Sequence, residues 1–495
     1  MKIRNFADVK NILFNNLTVK QTIFKNTFWL GVTQGADKFL RLILLIYVAR
    51  ILGATEYGKF TFSLAFVALF TVLFTLGTGA IVIREFAKDK SREKEFSDIL
   101  SLNIVLGVIT IIIIWICSFF ITKDPAIQKL IWILSIFSLI EQLCCEVFCF
   151  FKARQKMEYL AWSKIIESIL ITGIGLFMVF NFPSVRNLGY SYVFGVLISF
   201  IAALSILHFK IQPISLSWNK KIWKEFLTLS WPLALVMVLD EIYNQIDSVM
   251  MGYFGQMTQT GWYNAAFGII GATLIPMGLI SQTFFPVLSK SFKESKERLQ
   301  KVWSYQMEFM IILAFPLVIG GIVLAPKIIE SFYGQSFGPS ILTFQILLMM
   351  VGIIFLYDSF EKLLMAVDQQ KKIFWAALFG VITNVTLNLL LIPKYSLYGA
   401  AIATVMTHLL IFFLLVIFTL KFTTIKPLNL KIILSLIGAI VSSIIMYFVI
   451  SLPLIHSLNF ILTILIGVAT YLICFGTYKK LTNLVVIKNT SNQRV

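Results

Sequence analysis

Apolar residues fall in long, nearly uninterrupted runs along this chain, and polar residues are confined to the short stretches between them. About 20 predominantly apolar residues cross a bilayer as a helix. Fourteen runs qualify, near 27–48, 60–83, 99–121, 127–150, 160–181, 189–209, 228–252, 262–285, 303–325, 341–361, 373–392, 398–420, 431–450 and 458–478. The pattern predicts an all-α polytopic membrane protein with about 14 transmembrane helices.

Lys and Arg test this independently of hydropathy. With the N-terminus inside, the inner segments hold 32 of the 42 basic residues and the outer segments hold 6; Lys38, Arg41, Lys129 and Lys164 lie within spans. Basic residues accumulate on the cytoplasmic side, so both termini are expected inside and the number of spans even. The first 20 residues are polar and lack the apolar core of a cleavable signal peptide.

An internal repeat organises the spans. Arg50 to Val67 (RILGATEYGKFTFSLAFV) and Gly252 to Ile269 (GYFGQMTQTGWYNAAFGI) each read as a helix end, a turn bounded by Gly, and a second helix opening with small and aromatic residues. Six intervening spans give the copies the same orientation. The expectation is two pseudo-symmetric six-helix bundles around a central cavity, plus two appended C-terminal helices. The corresponding boundaries are 1–24 as a cytoplasmic tail able to lie as an interfacial helix, 25–209 and 227–420 as the bundles, and 210–226 as a cytoplasmic linker and natural hinge. Residues 421–480 hold the two appended helices, and 481–495 form a cytoplasmic tail.

The first span breaks the apolar rule. At 100° per residue, Gln34, Lys38 and Arg41 fall within about 60° of one another, flanked by Gly31 and Asp37, while Phe39, Leu40 and Ile43 lie opposite. Span seven repeats the device with opposite sign: Asp240, Asn244 and Asp247 recur at i, i+4 and i+7. An ionisable group at bilayer depth costs about 2.5–3.5 kcal/mol on the lenient insertion scale. Asp37, Lys38, Arg41, Glu141, Glu146, Asp240, Glu241 and Asp247 together would cost roughly 20 kcal/mol in hydrocarbon, so they must face protein or a wet cavity. If the two helices line one space, each stripe lowers the cost of burying the other. Asn384 and Asn388 at i+4, and His408 near Thr404 and Thr407, read most simply as hydrogen bonds between helices.

Composition agrees. The 495 residues are 58% hydrophobic and 13% charged, with a mean hydropathy of +0.88. The net charge of +18 sits in short loops, where topology demands it, so nucleic acid is not an expected partner. The five cysteines and three histidines show no metal-ligand spacing, and no GxxxxGK[ST] phosphate loop is present. No catalytic residues and no cofactor are expected.

The stretch Arg50-Ile51-Leu52-Gly53-Ala54-Thr55-Glu56-Tyr57-Gly58, the later Leu76-Gly77-Thr78-Gly79 with Ile83-Arg84-Glu85, Tyr333-Gly334, and Pro393 to Ala400 (PKYSLYGA) carry a resemblance. The chain resembles the polysaccharide transport family of the multidrug/oligosaccharidyl-lipid/polysaccharide exporter superfamily, which includes O-antigen and capsule repeat-unit flippases. The resemblance covers essentially the whole chain, with Ala54 standing where many relatives have Pro. It implies alternating access and movement of undecaprenyl-diphosphate-linked oligosaccharide across the cytoplasmic membrane, with no covalent step. Basic residues of the first helix and of the inner end of the second are implied to face the cavity, which gives Lys38, Arg41 and Arg84 to the diphosphate. Gln34, Asn244, Asn384 and Asn388 are suited to sugar hydroxyls. Asp37, Glu141, Asp240 and Asp247 are assigned to charge pairing or to a coupling proton or sodium ion. Membrane lipids, a polysaccharide polymerase and a chain-length regulator are the expected neighbours. Two other readings are a cation-coupled multidrug exporter, which the buried basic residues oppose, and a membrane glycosyltransferase or ligase, which the short outer loops oppose.

Overall fold

The computed structural model describes Phe14 and residues 18–492, so most of the expected interfacial N-terminal tail and the last three residues lie outside the described residues. The chain divides into two compact units, Met1–Gly261 and Trp262–Val495. Both are helical, and no strand occurs among the described residues.

The first unit contains α1 (Val19–Ala68), α2 (Thr71–Thr75), α3 (Thr78–Lys88), α4 (Phe96–Ile121), α5 (Pro125–Ala153), α6 (Met157–Asn181), α7 (Val185–Lys210) and α8 (Lys220–Tyr253), and ends in the first turn of α9 (Met257–Thr273). The second continues through α10 (Ile275–Glu294), α11 (Lys296–Tyr333), α12 (Pro339–Ala366), α13 (Gln370–Phe422), α14 (Leu430–Ser451), α15 (Pro453–His456) and α16 (Phe460–Asn492). Helix starts follow the capping chemistry in the sequence. Asp124 accepts the Ala126 amide at 2.8 Å ahead of Pro125, whose missing N–H costs nothing in a first turn. Ser295 and Asn429 cap α11 and α14 in the same way, accepting from Arg298 and Ile432.

Among the described residues, twelve helical stretches are long and apolar enough to cross a membrane. Two are too long for one crossing. Phe24–Lys88 has 65 residues and Gln370–Phe422 has 53, roughly 98 Å and 80 Å at 1.5 Å per residue, against about 30 Å of hydrocarbon. Each is interrupted by a residue off the helical path, Gly53 (φ 78°, ψ 170°) and Ser396 (φ 54°, ψ −131°). Counting each as two brings the number of crossings among the described residues to about fourteen. The outward faces are apolar: Ile109, Ile112, Ile116, Phe119 and Phe120 of α4 are all exposed, a stripe that only a lipid solvent stabilises.

In the first unit α5 packs between α3, α4, α7 and α1, and α6 lies between α1 and α7. A buried aromatic core ties one end of these helices together: Phe96 meets Phe150 at 5.0 Å, and Phe86 packs edge-on to Phe96, Phe150 and Phe226 at 5.8–6.4 Å. The 210–226 stretch, expected as a hinge, is pinned to α4. Ser215 and Ser217 amides donate to the Ser97 and Ser101 hydroxyls, and the Trp223 indole donates to the Asp98 carbonyl. In the second unit, Trp303, Phe360, Leu363 and Ile432 form the core, and the Trp303 indole donates to the Ser359 carbonyl at 3.0 Å.

Gly53 has a backbone conformation that only glycine adopts without strain, while a Cβ there would meet nothing within 4 Å. Gly53→Ala is therefore expected to destabilise by about 1–3 kcal/mol through backbone strain alone. The lowered apparent Tm of the detergent-solubilised variant measures this; an unchanged Tm would contradict it.

Candidate functional site

The charged stripe of α1 divides into an open part and a paired part. Gln34 and Lys38 are exposed, and no ion pair to Lys38 exists among the described residues. One turn on, Arg41 is three-quarters covered and holds three carboxylates: Nε donates to Asp37 Oδ1 at 2.9 Å, and Nη2 reaches Glu141 Oε1 at 3.3 Å and Glu167 Oε1 at 3.2 Å. Lys164 Nζ closes the ring, at 2.6 Å from Glu167 and 3.3 Å from Glu141. The Ser168 hydroxyl donates to Asp37 at 2.6 Å, and the guanidinium lies 6.0 Å from the ring centre of buried Tyr192.

The arrangement follows from three helices, with Asp37 and Arg41 at i, i+4 on α1, Glu141 on α5, and Lys164 and Glu167 at i, i+3 on α6. Two cations and three anions alternate, so each buried charge has an opposite neighbour, and Glu167, with no exposed side-chain surface, has two. The pairing expected across helices one and seven is corrected here. Arg41 donates to carboxylates of α1, α5 and α6, and among the described residues no ion pair joins Lys38 or Arg41 to Asp240 or Asp247. The reason is geometric, since α5 and α6 bring carboxylates within 3.3 Å of the guanidinium. Glu167 and Lys164 escaped the sequence reading. Their i, i+3 spacing inside one span was the available signal, because two opposite charges in an apolar run imply a shared partner.

The other expected site residues lie in several settings. Arg84 is exposed on α3 and donates from Nε to Glu85 at 2.7 Å. On α8, Asn244 is exposed and donates to the Asp240 carbonyl at 2.8 Å; Asp240 is exposed and Asp247 is buried. Asn384 and Asn388 are 1% and 0% exposed, and the Asn388 amide donates to Asn384 Oδ1 at 3.1 Å. Both are core groups in this conformation and present nothing to a sugar. His408 is buried against Tyr357 of α12, with Nδ1 3.1 Å from the phenol oxygen, the interhelical bond its neighbours suggested. No group of three or more His, Cys, Asp or Glu is placed to hold a metal ion among the described residues.

Twelve apolar helical stretches among the described residues, two of them broken and too long for one crossing, together with the charged stripe of α1, define a polytopic membrane protein. The family model described as polysaccharide biosynthesis protein matches residues 23–292, more than half of the chain, and the chain belongs to that family. It is 25% identical to the capsular polysaccharide biosynthesis protein CapF of Staphylococcus aureus, over 76% of this chain and 94% of that protein. It is 23% identical to the lipid II flippase MurJ of Bacillus subtilis (strain 168), over 78% of this chain and 80% of that protein. The fold is similar to a solved structure of lipid II flippase MurJ in an inward closed conformation, with a TM-score of 0.76 and 17% identity, covering 91% of this chain and 99% of that one.

Proposed function

We propose that this chain is a flippase that moves a diphosphate-linked oligosaccharide on a polyprenyl carrier across the cytoplasmic membrane, for assembly of a surface polysaccharide. The observation that carries the reading is Lys38: a cation inside a transmembrane helix, exposed, beside exposed Gln34, with Arg41 one turn away already neutralised. Such a cation is costly at this depth and is repaid when a phosphate meets it. Arg84, exposed near the inner end of the second span, is the second anion contact, and Gln34 and Asn244 meet sugar hydroxyls. The polyprenyl tail stays in lipid while the head, which cannot cross about 30 Å of hydrocarbon alone, passes through by alternating access. Both termini face the cytoplasm in this reading, and a polymerase and a chain-length regulator act on the product. Asp37 and Glu141 serve to hold Arg41 rather than to bind a coupling ion.

Proteoliposomes loaded symmetrically with a lipid-linked oligosaccharide test the proposal. Lectin-accessible sugar on the outer leaflet should exchange with the inner pool only when the protein is present. Equal exchange in protein-free vesicles and in proteoliposomes would refute it.

A further inference from the structure

A second buried polar group lies in the first unit, apart from the Arg41 cluster. Glu146 of α5 is 2% exposed and makes no ion pair among the described residues. Its Oε2 accepts from the Thr78 hydroxyl at 3.3 Å, and Thr78 in turn exchanges contacts of 3.2–3.3 Å with buried Asn103 of α4. Its Oε1 is buried with no hydrogen-bond partner.

The side chains in contact with the carboxyl are neutral, and the nearest cation of its own helix, Lys152, lies on the far side of Cys149 in the chain. Thr78 faces Glu146 from α3 and Asn103 faces it from α4. Its own helix supplies the Cys149 thiol, which shares with Oε2 the space beside Gly79. The neighbouring ionisable groups of α1 and α6, Arg41, Lys164 and Glu167, are engaged at Glu141, more than a turn along α5. α7 presents Ser199 one side-chain row away, at Cys144, and α2 (TVLFT) carries no ionisable residue. A buried carboxylate with no ion pair among the described residues is costly to ionise, and a neutral acid removes the charge.

The site also adjoins a break in the second span. Thr78 is the first residue of α3 and follows two consecutive left-handed residues, Leu76 (φ 47°) and Gly77 (φ 77°), which break the second span. A Cβ on Gly77 would lie 3.5 Å from the Ser230 carbonyl and the Ala234 amide of α8, which flank Pro232 inside that helix. Two helix irregularities thus meet one residue from the carboxyl, and α3 carries Arg84.

We infer that Glu146 is a proton site coupled to the break in span two: as the neutral acid it docks on Thr78 and holds α3. When it gives its proton to water, the charge draws solvent into the site, loosens Thr78 and lets α3 swing Arg84. The inference rests on the transport reading and names the group that couples it to protons.

Two measurements test it. Infrared pH titration of the purified protein should show a carboxylic-acid carbonyl band that Glu146→Gln removes, and absence of that difference at every pH would overturn the assignment. In proteoliposomes, an imposed pH gradient should change the rate of lipid-linked oligosaccharide exchange by wild type, and Glu146→Gln, the shape of the neutral acid, should exchange without responding. A variant that responds as wild type does would sink the inference while leaving the flippase reading intact. A response of both proteins to a sodium gradient, and of neither to pH, would overturn it as well. Failure of wild type to exchange the lipid at all would count against the transport reading, and the infrared band would still decide the state of Glu146.

Discussion

Lys38→Ala is expected to abolish surface polysaccharide while the protein accumulates in the membrane at its normal level. Lys38 gives the cleaner test of the two central cations. Its side chain is exposed and bonded to no carboxylate, so removing it breaks no described interaction and should cost little stability. Removing a phosphate contact is different: a charge-assisted bond to an ionised group is worth about 1.5–3 kcal/mol, and at membrane depth no water replaces it. Arg41→Ala would also stop transport but for a mixed reason. It strips Glu167 and Glu141 of a counter-charge, and an unpaired buried charge costs roughly 3–5 kcal/mol, so protein levels should fall as well. Lys38→Arg keeps the charge and should retain activity. Polysaccharide made at wild-type levels by Lys38→Ala would remove Lys38 from the substrate path, and with it the main support for the reading.

Much of this architecture was legible in the one-dimensional pattern, because a bilayer forces each crossing to show itself as about 20 apolar residues. The turn at Gly53 was legible for a second reason: a glycine ends one apolar run and its counterpart Gly255 ends another, and both have positive φ, 78° and 76°. What could not be read was which charges meet. The periodicity of α1 put Lys38 and Arg41 on one face, but the identity of their partners depends on the packing of α5 and α6 against that face, which no spacing within α1 encodes. The opposite sign of the stripe on α8 was an attractive partner, yet Glu141 and Glu167 were nearer. Asn384 and Asn388 illustrate the same gap. Their i, i+4 spacing is equally that of a polar lining and of a buried pair, and only their burial decides for the pair.

Joining Thr55 to Thr258 by a disulfide should stop transport completely, and reductant should restore it. The two copies of the repeat touch at their Gly-bounded turns with matching geometry. A Cβ on Gly58 would lie 1.8 Å from the Met257 carbonyl oxygen, and one on Gly261 would lie 2.0 Å from that of Ala54. Between these reciprocal contacts the Thr55 and Thr258 hydroxyls meet at 2.7 Å, 203 residues apart in the chain. Glycine is required at both places because backbone stands where a side chain would begin. If the copies rock apart in each transport cycle, this contact must open, and a covalent bridge there forbids the opening. Hydroxyls in hydrogen-bonding contact place the two Cβ atoms near the separation of about 3.5–4.5 Å that a disulfide spans. The double variant Thr55→Cys, Thr258→Cys belongs in a background without the five native cysteines, all of which are free. Oxidised protein should show the intramolecular link by mass spectrometry and no exchange of lipid-linked oligosaccharide, and the reduced protein should exchange as its parent does. Full activity with the link complete would mean that these turns stay together throughout transport, and the rocking of the two copies would have to be abandoned for a path that opens elsewhere.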